Sequence, residues 1–228
     1  MKKNYEDLTL NIDFIKHAFN QINNNKTPIR IFHNYFLKNI EISEKTIDIG
    51  SGQHSSYLNF LKKKNVNLFF SDKFHKKEEN FIEVDLENDL KINDHTYDTV
   101  IMFNVLEHIE NYENLISEVF RILKPGGKLE IFVPFMHRYH EDPKDVFRPT
   151  HSYLNKCLEK NKFKVNTCLI GIGPFAVISE ILLKYFKIKF IKKFFIIIFI
   201  ILNKIMKVFS KDYNTFYLGI HSSCKKDF

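Results

Sequence analysis

The residues best suited to chemistry open with a short run, Asp48-Ile49-Gly50-Ser51-Gly52. Two glycines one residue apart let a backbone turn tightly and approach a ligand closely. A dinucleotide-binding turn asks for a third glycine, G-x-G-x-x-G, and Ser55 stands in its place. A carboxylate two residues before the first glycine repels a pyrophosphate and attracts an ammonium or sulfonium group. The run therefore points away from a dinucleotide and towards a cationic, amino-acid-like ligand. Two further carboxylates close apolar runs. Leu68-Phe69-Phe70-Ser71-Asp72 ends in an acceptor suited to paired ribose hydroxyls. Phe81-Ile82-Glu83-Val84-Asp85-Leu86 brings another within reach of an adenine amine.

A second polar cluster runs from Phe135 to Thr150 and holds two of the ten histidines and two of the four arginines. In a chain of thirty lysines, arginine at these places suggests a need for a planar, bidentate donor. His137, Asp145 and Arg148 are the candidate acceptor-binding residues, although Asp145 and Arg148 equally suit a scaffold pair. Two histidines, His140 and the His108 of Leu106-Glu107-His108, are candidate general bases because imidazole titrates near neutrality. His137-x-x-His140 has the spacing of a metal pair, but no further ligand stands near in sequence, so no metal site is expected.

The elements that must position these residues alternate. Strands are expected at Thr46–Ile49, Val66–Ser71, Phe81–Val84, Tyr97–Phe103, Lys128–Pro134, Phe163–Ile170 and Thr215–Ile220, the fifth entered by a sharp Lys124-Pro125-Gly126-Gly127 turn. Helices are expected at Leu8–Ile22, Ile29–Leu37, Ser55–Lys64, Tyr112–Leu123 and His151–Lys160, with Thr150 capping the last. Such alternation predicts an α/β fold: a doubly wound, mostly parallel, seven-stranded sheet with crossover helices on both faces. Four segments follow: N-terminal helices (1–45), a ligand-binding core (46–170), an insertion (171–212), and the last strand and tail (213–228).

The pieces TIDIGSG, FFSDKF, FIEVDLEN, YDTVIMFNVLEHI and EVFRILKPGGKLEIFVP resemble, in order and spacing, the motifs of class I S-adenosylmethionine-dependent methyltransferases of the type 11 group. That resemblance implies a Rossmann-like methyltransferase fold and S-adenosylmethionine as cofactor. It implies that Asp48, Gly50, Ser51 and Gly52 hold the methionine part, Asp72 the ribose, and Asp85 with Leu86 the adenine, while Asn104 and Val105 close over the methyl donor. The stretch His140-x-x-Pro143-x-Asp145-x-x-Arg148-x-Thr150 resembles a segment of methyltransferases associated with surface-glycan biosynthesis. The implied reaction is methyl transfer to oxygen or nitrogen of a small-molecule or glycan-related acceptor. His54 stands where the family often has a third glycine. That departure keeps open a membrane-surface binding protein with degenerate catalysis.

The net charge of +7 on 228 residues first suggests nucleic acid, but its location does not. Between Ile181 and Lys211 lie eight lysines and no acidic residue, leaving 26 basic residues against 27 acidic elsewhere. The same segment carries nine unbroken apolar residues, Phe194–Leu202, about 14 Å of helix, too short for a membrane span. An amphipathic helix on an anionic membrane surface fits best. A cap on the core, a homodimer interface and a true span are the alternatives. Nucleic acid is not an expected partner, since phosphate tracking from an apolar insertion is implausible. Three cysteines without metal spacing and a polar start without an apolar leader suit a cytoplasmic protein, with the inner face of the membrane as its site of attachment.

Overall fold

Four consecutive residues, Val100, Ile101, Met102 and Phe103, are at most 3% exposed, so the strand carrying them is covered on both faces, as parallel sheets require. The computed structural model describes residues 4–5, 11–52, 55–73, 80–141 and 143–227. Its strands are β1 (Asn4–Tyr5), β2 (Glu41–Ile49), β3 (Lys62–Asp72), β4 (Phe81–Glu83), β5 (Tyr97–Phe103), β6 (Leu123–Pro134), β7 (Phe163–Ile172) and β8 (Tyr217–Lys226). Its helices are α1 (Ile12–Asn23), α2 (Pro28–Phe36), α3 (Tyr112–Ile122), α4 (His151–Lys160), α5 (Pro174–Leu182) and α6 (Lys189–Phe209). Two units divide the chain: Asn39–Val133, Tyr139–Thr167 and His221–Phe228 form the larger, Met1–Lys38, Pro134–Arg138 and Cys168–Ile220 the smaller.

The sheet order is β1-β7-β8-β6-β5-β2-β3-β4, its last seven strands in Rossmann-like order, with β2, β3, β4 and β5 wholly within the larger unit. β2 pairs in parallel with β3 on one side and β5 on the other, and β3–β4 and β5–β6 are parallel too. The chain runs outward from β2 to β4, then returns to β5 on β2's other flank. The order therefore reverses between β2 and β5, and doubly wound sheets bind ligands in the crevice beyond such a reversal. Leu115, Ile116, Val119 and Ile122 of α3 and Leu154 and Leu158 of α4 are buried. The Thr150 hydroxyl caps α4 by accepting from the Tyr153 amide at 3.3 Å.

Two expected elements differ. The helix expected over Ser55–Lys64 is a single 3₁₀ turn, Ser56–Asn59, and β3 has begun by Lys62. Tyr57, Leu58 and Leu61 are buried there, but Lys62, Lys63 and Lys64 extend along Glu41, Ile42 and Ser43 of β2. Three exposed lysines offer no apolar stripe for a helix and readily edge a strand. The Lys124–Gly127 turn is instead part of β6, whose register against β5 slips between Tyr97 and Thr99. Gly126, at φ +76°, absorbs that bulge.

In the smaller unit, β1 pairs in parallel with Cys168 and Leu169 of β7. Asn11 caps α1 by accepting from the Phe14 amide at 2.6 Å, so the helix starts there, and Leu8 lies outside the described residues. The Phe14 and Phe32 rings stack at 5.7 Å between α1 and α2. The insertion forms α5 and α6, and α6 packs on both α1 and α5. Ile196, Phe199, Ile200 and Asn203, one helical stripe, are its buried face. Asn203 accepts from the Phe175 amide at 3.1 Å and donates to the Ile172 carbonyl at 2.5 Å, which locks α6 onto the start of α5. Phe190, Phe194, Ile201, Ile205 and Val208 recur on the opposite side and are exposed. Among the described residues, no helix is long and apolar enough to cross a membrane.

Candidate functional site

In the larger unit the glycine turn follows β2, where the strand order reverses between β2 and β5. Asp48, near the end of β2, is fully buried, and the Tyr57 hydroxyl donates to its Oδ2 at 2.6 Å. Oδ1 is buried without a hydrogen-bond partner among the described residues. Burial raises this carboxyl to about 7, and the hydrogen bonds from Tyr57 and Ser55 oppose that rise only in part. Gly50 follows at φ +65°, and a Cβ there would sit 2.7 Å from Cγ2 of Val105. Only glycine meets both demands. Gly52, at φ +58°, has no heavy atom of the described residues within 4 Å of where its Cβ would stand.

The turn is tied to the next strand. The Ser51 amide donates to the Ser71 carbonyl at 3.0 Å, and the Gly52 amide donates to Oδ2 of Asp72 at 2.8 Å. Oδ1 of Asp72 accepts from the Lys73 amide at 2.7 Å. Asp85 accepts from the Glu87 amide at 3.2 Å and pairs with Lys73 at 3.2 Å, and these hold its carboxyl below the ordinary value. Leu86 is buried, with Cδ1 3.5 Å from the Gly50 Cβ position. At the end of β5, Asn104 adopts φ +57°, and its Nδ2 is buried without a hydrogen-bond partner among the described residues. A buried amide and a buried carboxyl oxygen, each without a hydrogen-bond partner among the described residues, fit a ligand carrying both donors and acceptors, such as S-adenosylmethionine. Gln53 and His54 lie outside the described residues.

Beyond Val105 the chain makes a 3₁₀ turn, Leu106–His108. The Glu107 carbonyl accepts from the Val146 amide at 2.9 Å and from the Phe147 amide at 3.3 Å, which brings the 139–150 loop to this turn. His108 and His140 meet edge to face, ring centroids 5.1 Å apart, and His108 Nε2 lies 3.8 Å from Oε1 of the fully buried Glu107. Asp145 and Arg148 bond each other at 2.5 Å, and Asp145 also accepts from the His140 amide at 3.0 Å. Asp145 thereby ties Arg148 and the His140 backbone together within the loop. Glu107 was not foreseen from sequence; a carboxylate between Leu106 and His108 in an otherwise apolar run was its signal.

His137 falls in the smaller unit and His140 in the larger. Its Nδ1 is 2.9 Å from Oε1 of Glu180, whose Oε2 accepts from the Ile29 amide at 2.8 Å. Both line a cavity of about 450 Å³ with apolar walls including Ile31 and Val177, and with Lys26, Arg138, Lys184 and Lys192 among its lining.

The sheet order and its crevice define a doubly wound nucleotide-type fold. A family model for a methyltransferase domain matches residues 19–165, and the chain belongs to that family. None of the curated proteins matches it. Solved structures similar in fold include the complex of the Haloferax volcanii Trm112 methyltransferase activator with a methyltransferase, at 15% identity and TM-score 0.56, covering 96% of this chain and 100% of that one. The cyclase SpnF gives 13% identity and TM-score 0.56, with 94% and 93% covered. A Haemonchus contortus phosphoethanolamine N-methyltransferase in complex with S-adenosyl-L-methionine gives 14% identity and TM-score 0.51, covering 92% of this chain and 53% of that one.

A carboxyl raised from 3.8 to about 7 by folding contributes stability that is present at low pH and lost as pH rises to 7. Urea unfolding of the ligand-free wild type and Asp48→Asn should show this in their difference. Relative to the variant, the wild type should lose about 4 kcal/mol between pH 4 and pH 7 and nothing further above pH 8. A difference independent of pH would refute the burial of an ionisable carboxyl at this position.

Proposed function

We propose that the chain transfers the methyl group of S-adenosylmethionine to an oxygen or nitrogen of a small-molecule or glycan-related acceptor, at an anionic membrane surface. The observation that carries the methyl-transfer reading is the crevice of a methyltransferase-family chain, where Asp48, Asn104 and the Gly50–Gly52 turn present the polarity this cofactor needs. When bound, the cofactor supplies an electrophilic methyl carbon on a sulfonium. Asp48 offers an anionic oxygen to its ammonium group, and the Gly52 amide keeps Asp72 turned towards the ribose side. Leu86 and Val105, both buried, exclude water beside the turn. An acceptor nucleophile attacks in line, and positioning supplies much of the acceleration. The acceptor's proton falls to the cluster of Glu107, His108 and His140, which begins two residues beyond the Val105 that abuts Gly50.

The membrane part rests on α6. Its exposed apolar stripe (Phe190, Phe194, Ile201, Ile205 and Val208) sits in a segment of eight lysines without an acidic residue. Apolar insertion with cationic contact to headgroups is the pattern of an interfacial helix. The glycan-related acceptor rests on the likeness of the His140–Thr150 segment alone.

Calorimetry should show the wild type binding S-adenosylmethionine one to one. Asp72→Ala should weaken this by 10–100-fold, through lost charge-assisted hydrogen bonds of about 1.5–3 kcal/mol; absence of wild-type binding refutes the cofactor assignment. In co-sedimentation, phosphatidylglycerol vesicles should carry the wild type down while neutral vesicles do not. A Phe190→Asp/Phe194→Asp variant should stay in the supernatant with cofactor affinity unchanged, and equal pelleting of the variant would refute membrane docking through α6.

A further inference from the structure

The smaller unit holds a cavity that the methyl-transfer chemistry does not use. Every residue lining this space of about 450 Å³ belongs to that unit, and the volume falls within the roughly 300–1,000 Å³ of small-molecule sites. Ile22 of α1, Ile31 of α2 and Val177 of α5 line it and are at most 8% exposed, so its interior is apolar. The cations of its lining are shallower. Lys26 and Lys192 are half-buried, while Arg138 and Lys184 are exposed, so positive charge gathers towards the mouth. They come from the α1–α2 turn, the stretch after β6, the stretch after α5 and the first turn of α6, so folding and not sequence adjacency assembles them.

Glu180 is the one acidic residue among the described lining residues, and both of its oxygens are engaged. Oε1 lies 2.9 Å from Nδ1 of His137, and Oε2 accepts from the Ile29 amide at 2.8 Å. Among the described residues neither Lys184 nor Lys192 pairs with a carboxylate, and Lys184 Nζ stands over the Tyr185 ring at 5.8 Å. Charges of one sign at the mouth of a low-dielectric cavity repel one another and focus their field on an anion. The apolar interior behind that mouth accommodates a hydrocarbon chain attached to the anion.

We propose that this cavity binds a phosphate monoester of an apolar alcohol, its chain against Ile22, Ile31 and Val177 and its phosphate among the four cations. Several cations suit a group of nearly two negative charges better than a single carboxylate, and Arg138 brings the planar fork that phosphate oxygens accept. The site goes beyond the methyl-transfer reading and does not rest on it, since its lining shares no residue with the turn after β2 or with the cluster at Glu107.

Titration calorimetry of the full-length chain with decyl phosphate, kept below its micellar concentration, tests this. The wild type should bind one equivalent, with inorganic phosphate, decanol and decanoate each weaker by about tenfold or more. Lys184→Glu/Lys192→Glu should weaken decyl phosphate by about tenfold or more. Phe190→Asp/Phe194→Asp, altered on the exposed stripe of α6, should bind it like the wild type. Val177→Phe should weaken decyl phosphate and leave inorganic phosphate unchanged; if that variant does not melt cooperatively, Ile181→Gln, at a 57% exposed lining position, decides in its place. Inorganic phosphate bound as tightly as decyl phosphate would reduce the site to an anion patch, and decanol bound as tightly would reduce it to an apolar cavity. Equal affinity for decanoate would overturn the choice of phosphate. Absence of wild-type binding, or affinity unmoved by the lysine substitutions, overturns the site itself.

Discussion

A carboxylate held entirely out of water is the constraint around which the crevice is arranged. Asp48 is fully buried at the end of β2, and burial of an anion is tolerated only with hydrogen bonds or a partner charge. Tyr57 supplies one hydrogen bond from the 3₁₀ turn that follows the glycines, so this turn has to fold back onto the strand end. Gly50 has to pass against Val105, which fixes the β2 and β5 loops side by side. The Gly52 amide then secures Asp72. Turn, carboxylate and neighbouring strand end form one unit, in which Oδ1 of Asp48 and Oγ of Ser71 are buried without a hydrogen-bond partner among the described residues.

Much of this was legible in the sequence because it is local. Val100–Phe103 is an unbroken apolar run, and a parallel strand buried on both faces reads that way. Asp48, Gly50 and Gly52 are adjacent, and their spacing alone indicates the turn. The helix expected over Ser55–Lys64 gives way to a single 3₁₀ turn because the three lysines at its end extend along β2 instead. Glu107 was hidden because its importance depends on a loop more than thirty residues away. The 139–150 segment reaches the Glu107 carbonyl only through tertiary hydrogen bonds. His137 and His140, three residues apart, fall in different units, which spacing cannot reveal.

The net charge of +7 belongs to a segment, not to the catalytic body. The eight lysines from 184 to 211 sit on the α5–α6 insertion and just past its end. One face of α6 is accounted for by packing, with Ile196, Phe199, Ile200 and Asn203 buried. That burial makes it a cap, and the exposed stripe opposite gives the same helix a second face. A cap and an interfacial helix are therefore compatible uses of one element.

The most direct test of this account is the proton balance of cofactor binding. Near pH 7 the Asp48 carboxyl is about half protonated, and an ammonium group placed against it draws it into the ionised form. Titration calorimetry with S-adenosylmethionine at pH 7, in buffers of different ionisation enthalpy, should report release of about half a proton per cofactor, and Asp48→Asn should release none. Tight binding with no proton exchange, or with proton uptake, would contradict the placement of the cofactor's cationic group at Asp48.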